Sequence, residues 1–284
     1  MDMGSANMKN GPGYFSDMGW KANETLTRDY LLSLRFSIAS NFGNGWGLTS
    51  TIAKWHGTYR GDTTIRYEDP NVRANVRMDA RMNVKPTLSV TNFLPSTRFI
   101  GSFNFLKFYK NKLAVEYFHE YATLGAAVTL SYFLPIDVSA VFGTPWINFG
   151  GEATYSVFNG TWDNFSVGVS WATQQHSALS FTLMDKGETL RVLYWHPIGQ
   201  MKKGAVAGEV KRRIATKESK LTIGCAYAIN PHTLIKARMN QYGYFGAALK
   251  QEVQPNTFFT ISGTFELQAL RKTPRIGVAL EHNS

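Results

Sequence analysis

Between Leu31 and Leu280, bulky apolar residues recur at every second position in about nineteen short runs that never merge into one long apolar block. In Phe165, Val167, Val169 and Trp171 they take one parity, while Ser166, Gly168 and Ser170 take the other. A period of two sends successive side chains to opposite faces of a strand. The pattern predicts strands near 31–40, 45–55, 58–68, 71–82, 86–93, 97–106, 112–120, 123–132, 137–144, 147–157, 163–172, 177–185, 188–196, 203–212, 219–227, 232–240, 244–252, 257–266 and 274–282. Turn signals such as Asn159-Gly160, Asp185-Lys186-Gly187, Asn230-Pro231 and Gln254-Pro255-Asn256 separate them. No linker of different composition interrupts residues 31–284, which therefore read as one large sheet.

The first thirty residues are of another kind. From Tyr14 to Tyr30 the alternation lapses, and Phe15, Met18, Ala22 and Leu26 fall three and four apart, one apolar helical stripe. The spacing predicts an amphipathic helix over about 14–28, beginning near Ser16-Asp17 after the Gly11-Pro12-Gly13 hinge. Lys21 four residues after Asp17, and Arg28 four after Glu24, stand in the favourable order for helix ion pairs.

Alternation alone does not separate a soluble sandwich, whose oily faces meet in a dry core, from a membrane barrel, whose oily face meets lipid. Three features favour the barrel: strands close to the 9–11 residues needed to cross a bilayer, a single meander of this size, and aromatics near strand ends. Trp46, Trp55, Tyr132, Trp146, Trp171 and Trp195 are the expected members of an interfacial girdle. No run of about 18 apolar residues offers a spanning helix, and Met1 to Pro12 lacks the apolar core of an export signal. A mean hydropathy of −0.21 is compatible with a barrel wall, which turns only alternate residues to lipid.

Charge bears on function. The chain carries 30 Lys+Arg against 20 Asp+Glu, a formal net charge of +10. By parity the polar faces hold Arg35, Arg60, Arg66, Arg73, Arg77, Arg81, Arg98, Arg191, Lys236, Arg238 and Arg275 against Asp62, Glu68, Asp79, Glu116, Glu120, Glu152 and Glu266. A water-filled lumen with that surplus enriches anions. Arg73, Arg77 and Arg81, spaced by four, are expected to form a basic stripe on one strand. The six histidines show no paired metal-ligand spacing, and neither a phosphate loop nor a nucleophile elbow occurs, so we expect no enzyme and no metal. The lone Cys225, in the run Leu221, Ile223, Cys225, Tyr227, is expected to be a small wall residue.

Several segments resemble a known family. Gly11-Pro12-Gly13-Tyr14-Phe15-Ser16-Asp17-Met18-Gly19, then Lys21-Ala22 and Arg28-Asp29-Tyr30, are similar to the N-terminal helix of the plant voltage-dependent anion channels. Thr233 to Asn240, Phe258 to Gly263 and Lys272 to Gly277 are similar to that family's last strands, and Asp185 to Leu190 to one of its turns. The resemblance implies an all-β fold: a 19-stranded transmembrane barrel in the mitochondrial outer membrane, closed by a parallel first and last strand, with the helix in the lumen.

It further implies a voltage-gated, weakly anion-selective pore for small ions and anionic metabolites, adenine nucleotides included, without a cofactor. Asp17, Glu24 and Arg28 match charged positions of the family's helix, to which Lys21 is added as a candidate. Arg98 matches a basic residue of the nucleotide path, and Lys236 and Arg238 a late-strand basic pair. Arg98 follows Ser96-Thr97 where the family has Gly-Leu, and Trp20 and Asn23 stand where basic residues are usual. Membrane lipid is the expected surrounding, nucleic acid is not expected, and self-association or association with other outer-membrane proteins stays open. So do a plastid envelope location and a barrel that imports or binds proteins, although the basic surplus disfavours cationic presequences.

Overall fold

The computed structural model describes residues 11–55, 57–144, 146–173, 177–199, 203–267 and 274–284. A 3-10 turn, Phe15–Asp17, precedes the helix α1, Trp20–Thr27. Nineteen strands follow: β1 Leu34–Asn41, β2 Trp46–Trp55, β3 Thr58–Glu68, β4 Val72–Asp79, β5 Val84–Thr91, β6 Thr97–Ser102, β7 Lys112–His119, β8 Ala122–Thr129, β9 Pro135–Gly143 and β10 Ile147–Ser156. The series continues with β11 Thr161–Ala172, β12 Ala178–Met184, β13 Thr189–Ile198, β14 Gly204–Arg213, β15 Ser219–Asn230, β16 Thr233–Asn240, β17 Tyr244–Gln254, β18 Thr257–Glu266 and β19 Arg275–Asn283.

Each strand pairs antiparallel with its neighbour in sequence, and β1 pairs parallel with β19, Leu34 opposite Val278 and Arg35 opposite Ala279. An odd number of strands cannot close by antiparallel pairing alone. The parallel seam removes the last edge, so no strand presents an unpaired row of N–H and C=O groups to lipid. Odd-numbered strands run from the mouth at which β1 begins, here the distal mouth, to the mouth that holds Ser284, the C-terminal mouth.

Contacts of the N-terminal segment mark the inside. Ala22 and Leu26 pack on Leu193 and Ala207, and Arg191 donates to Asn23, so these wall residues face inward. Strand register carries that parity around the barrel: Arg191 lies opposite Thr182 and Lys211, Glu209 opposite Thr222, Arg238 opposite Gly224 and Gly246. The opposite parity gives an outer face of Phe36, Val76, Phe149, Val167, Ile223 and Phe265, all at least 37% exposed. Such an apolar surface is tolerable only against lipid. At its rims, Trp46, Trp146 and Trp171 at the C-terminal mouth and Trp162 and Tyr132 at the distal mouth are half or more exposed; the side chain of Trp55 lies outside the described residues.

Trp195 departs from the girdle reading. It faces inward on β13, with Lys21 Nζ 5.0 Å from its ring centre, because the helix needs an apolar floor there. The expected helix of about 14–28 is also interrupted: Gly19 takes φ +74°, and α1 starts only at Trp20. A side chain at Gly19 would meet Leu193 Cδ1 at 2.5 Å and Ser180 Oγ at 2.6 Å, so a left-handed glycine is what lets the segment bend and press on the wall.

Candidate functional site

The N-terminal segment lies within the lumen against the wall. Gly11 to Tyr14 lie at the C-terminal mouth, where Asn148 donates to the Pro12 carbonyl and Tyr14 reaches β6 and β7. Met18 crosses Gly150 and Gly168, whose bare backbones leave room for its thioether. The helix then runs over β13, β14 and β15, and the chain passes Gly246 and Gly277 before turning into β1 at the distal mouth. The stripe foreseen in Phe15, Ala22 and Leu26 is buried against this wall, each of the three under 9% exposed. Burying one leucine contributes about 1.5–3 kcal/mol.

Polar contacts fix the segment at several points. At the C-terminal mouth, the Tyr14 hydroxyl donates to Glu116 Oε2 at 2.8 Å and accepts from Arg98 Nη1 at 3.0 Å, while Arg98 stacks over Phe118 and lies 3.4 Å from Glu116. Burial, followed by the Glu116 carboxylate, raises the Tyr14 phenol above its ordinary range, so it stays protonated. Arg191 binds Glu209 Oε1 at 2.6 Å and Asn23 Oδ1 at 3.1 Å. Arg238 donates to the Leu26 carbonyl at 2.6 Å and lies 4.2 Å from the centre of the Tyr30 ring. Lys236 pairs with Asp29 at 2.8 Å.

The fifteen sequence candidates thus fall into distinct settings. Arg28 pairs with Glu24 one turn away, and the hydrogen bond it donates to the Glu24 carboxylate raises its guanidinium further. The Asp17–Lys21 pair does not form: Asp17 sits in the 3-10 turn, where Ser16 donates to it, and Lys21 leans on Trp195. Arg98, Arg191, Lys236 and Arg238 face inward but are engaged by the segment or by carboxylates. Arg35, Arg60, Arg66, Arg73, Arg77 and Arg275 share the inward parity. Arg81 is no member of a stripe with Arg73 and Arg77. The Asp79 carboxylate accepts from the Arg81 and Asn83 amides, which ends β4 and puts Arg81 in the turn.

The wall from β1 to β5, five of the nineteen strands, is the stretch that the segment leaves bare. Arg73 there pairs with Glu68 at 2.9 Å and Arg77 with Asp62 at 3.3 Å, while Arg35, Arg60, Arg66 and Lys85 form no ion pair with a described carboxylate. Lys85, inward opposite Arg77, escaped the sequence reading because its run, Val84 to Val90, was started two residues late. A closed, lipid-faced barrel with a polar, charged inner wall can admit hydrated solutes.

The sequence profile of the eukaryotic porins matches residues 11–277. The chain belongs to the eukaryotic porin family. Over 273 residues this porin is 39% identical to the mitochondrial outer membrane protein porin 2 of Arabidopsis thaliana, covering 96% of this chain and 99% of the relative. It is 34% identical to the mitochondrial outer membrane protein porin 5 of Oryza sativa, covering 95% and 97%. The outer plastidial membrane protein porin of Pisum sativum is 29% identical over 96% of the porin's length and 99% of its own.

Proposed function

We propose that this chain is a voltage-gated, weakly anion-selective pore through which small ions and anionic metabolites, adenine nucleotides among them, diffuse across the mitochondrial outer membrane. Membership of the porin family and the membrane barrel supply the coarser part: a channel for metabolite diffusion in the outer membrane. The mitochondrial relatives, at 39% and 34% identity, support that membrane over the envelope named for the pea relative, at 29%.

The observation that carries anion preference is the bare β1–β5 wall, with Arg35, Arg60, Arg66 and Lys85 inward and without an ion pair to a described carboxylate. At ~0.1 M salt the field of such charges reaches about 10 Å, enough to bias a narrow lumen and too little to exclude cations. Selectivity is therefore weak.

Voltage response is assigned to the charged lining, wall and segment together. One elementary charge crossing a full 100 mV drop exchanges about 2.3 kcal/mol, comparable with a single anchoring contact of the segment. Planar bilayers holding the purified protein test the reading. Conductance should fall stepwise to a lower state at either polarity, and nucleotide-loaded vesicles should leak; a conductance independent of voltage sinks the gating part.

A further inference from the structure

We propose that the pore is electrically polar along its axis: the positive surplus is gathered at the distal mouth, so current and selectivity depend on the side from which anions arrive. This rests on the pore reading above and adds a direction to it.

Strand direction and register assign each inward charge to a mouth. Arg35, Arg60, Lys85, Lys211, Lys220 and Arg275 all lie within three residues of the distal end of their strands, and none forms an ion pair with a described carboxylate. Lys211 and Lys220 are directly opposite each other across β14–β15. Like charges in that position oppose pairing unless mobile anions screen them. Of the distal carboxylates, Asp62, Asp137 and Glu209 are already taken by Arg77, Lys112 and Arg191, while Asp79, which accepts from the Arg81 and Asn83 amides and feels Lys85, and Glu266 offset only two of the six bases. The carboxylates of the neighbouring turns, Asp185, Glu188 and Glu218, are offset by Lys186, Arg213 and Lys217.

The C-terminal mouth is neutralised instead. Arg73, Arg98 and Lys250 face Glu68, Glu116 and Glu281 at 2.9, 3.4 and 4.0 Å. Arg66 and Lys203, which remain, are matched in number by Asp69 and Glu120 at the same end. An anion-rich zone thus lies in series with a nearly neutral one. Anions driven in through the distal mouth reach the neutral zone faster than cations can clear it, so salt accumulates and current rises. Driven the other way, salt is depleted.

The test uses full-length channels of known orientation. Ser284→Cys in a Cys225→Ser background gives a single thiol at the C-terminal mouth, and a membrane-impermeant thiol reagent in one chamber identifies the side. With the distal chamber negative, current should exceed that at the opposite polarity by about 1.5-fold at ~0.1 M salt, falling to near unity at ~1 M, where screening shortens to about 3 Å. In a salt gradient the anion preference should be greater when the dilute solution bathes the distal mouth. Lys211→Glu with Lys220→Glu should abolish or invert both asymmetries, and Lys211→Gln with Lys220→Gln should halve them if the double reversal does not fold. Conducting channels with equal currents at both polarities and equal reversal potentials in both gradients overturn the polarity while leaving the pore intact. Protein that conducts nothing overturns both.

Discussion

Lys236 Nζ lies 2.8 Å from Asp29 Oδ2, and the two side chains are only 7% and 14% exposed, which makes this ion pair the buried bolt between the N-terminal segment and the barrel wall. Asp29 stands where the chain leaves the segment for β1, at φ +74°. Its carboxylate is aimed at the wall by that left-handed turn. Asn keeps the backbone tolerance and loses the charge. Asp29→Asn should therefore leave Lys236 uncompensated and cost about 3–5 kcal/mol. We expect a lower thermal midpoint in detergent and faster proteolysis before Leu31; a variant as stable and as resistant as the parent contradicts the bolt.

Tyr14 is the corresponding anchor at the other end. Tyr14→Phe removes the donor to Glu116 and the acceptor for Arg98, for an expected loss of about 1–3 kcal/mol. The pH sign follows from the raised phenol. Docked Tyr14 holds its proton where a free phenol has lost it, so its share of docking is complete below pH ~10 and is lost as pH rises through the docked value. Protease resistance of the segment should be flat between about pH 6 and 9 in the parent and lower throughout in the variant. An inflection in that range that Tyr14→Phe abolishes would show an ionising, not a neutral, hydroxyl.

Arg77 and Arg81 should differ. Arg77 points into the lumen, and Arg81 sits in the turn beyond the last residue of β4. Arg77→Glu should move the reversal potential towards cations several times further than Arg81→Glu. Equal shifts would place the turn charge inside the conducting path.

Cys225 has the outward parity between Ile223 and Tyr227 and is exposed. In vesicles a lipid-soluble maleimide should label it and a charged thiosulfonate should not. The reverse result would turn the β15 parity around.

Most of the wall was readable because one side of every strand meets a single solvent. Val72, Ala74, Val76 and Met78 alternate with Arg73, Asn75 and Arg77 without interruption, and the structure keeps that register. Strand ends were less legible where side chains cap turns. Asp79 stops β4 short of the expected residue 82, and Asn104, accepting from the Leu106 and Lys107 amides, stops β6 at Ser102. Contacts between distant segments carried no local signal at all. Nothing around Trp195 says that a helix 170 residues earlier in the chain will cover it, and nothing around Asp29 names Lys236 as its partner. The break at Gly19 was legible only as a glycine; its φ follows from the crowding by Leu193.

The central claim is a water-filled lumen with a positive bias, and the zero-current potential of single channels in a tenfold potassium chloride gradient tests it most directly. The potential should have the sign of chloride preference, with a permeability ratio of about two that falls towards one as salt rises, and neutralising Arg35, Arg60, Arg66 and Lys85 together should move it clearly towards zero, with Lys211, Lys220 and Arg275 holding the remainder. A potential of the cation-preferring sign, or one indifferent to those four residues, would contradict the account.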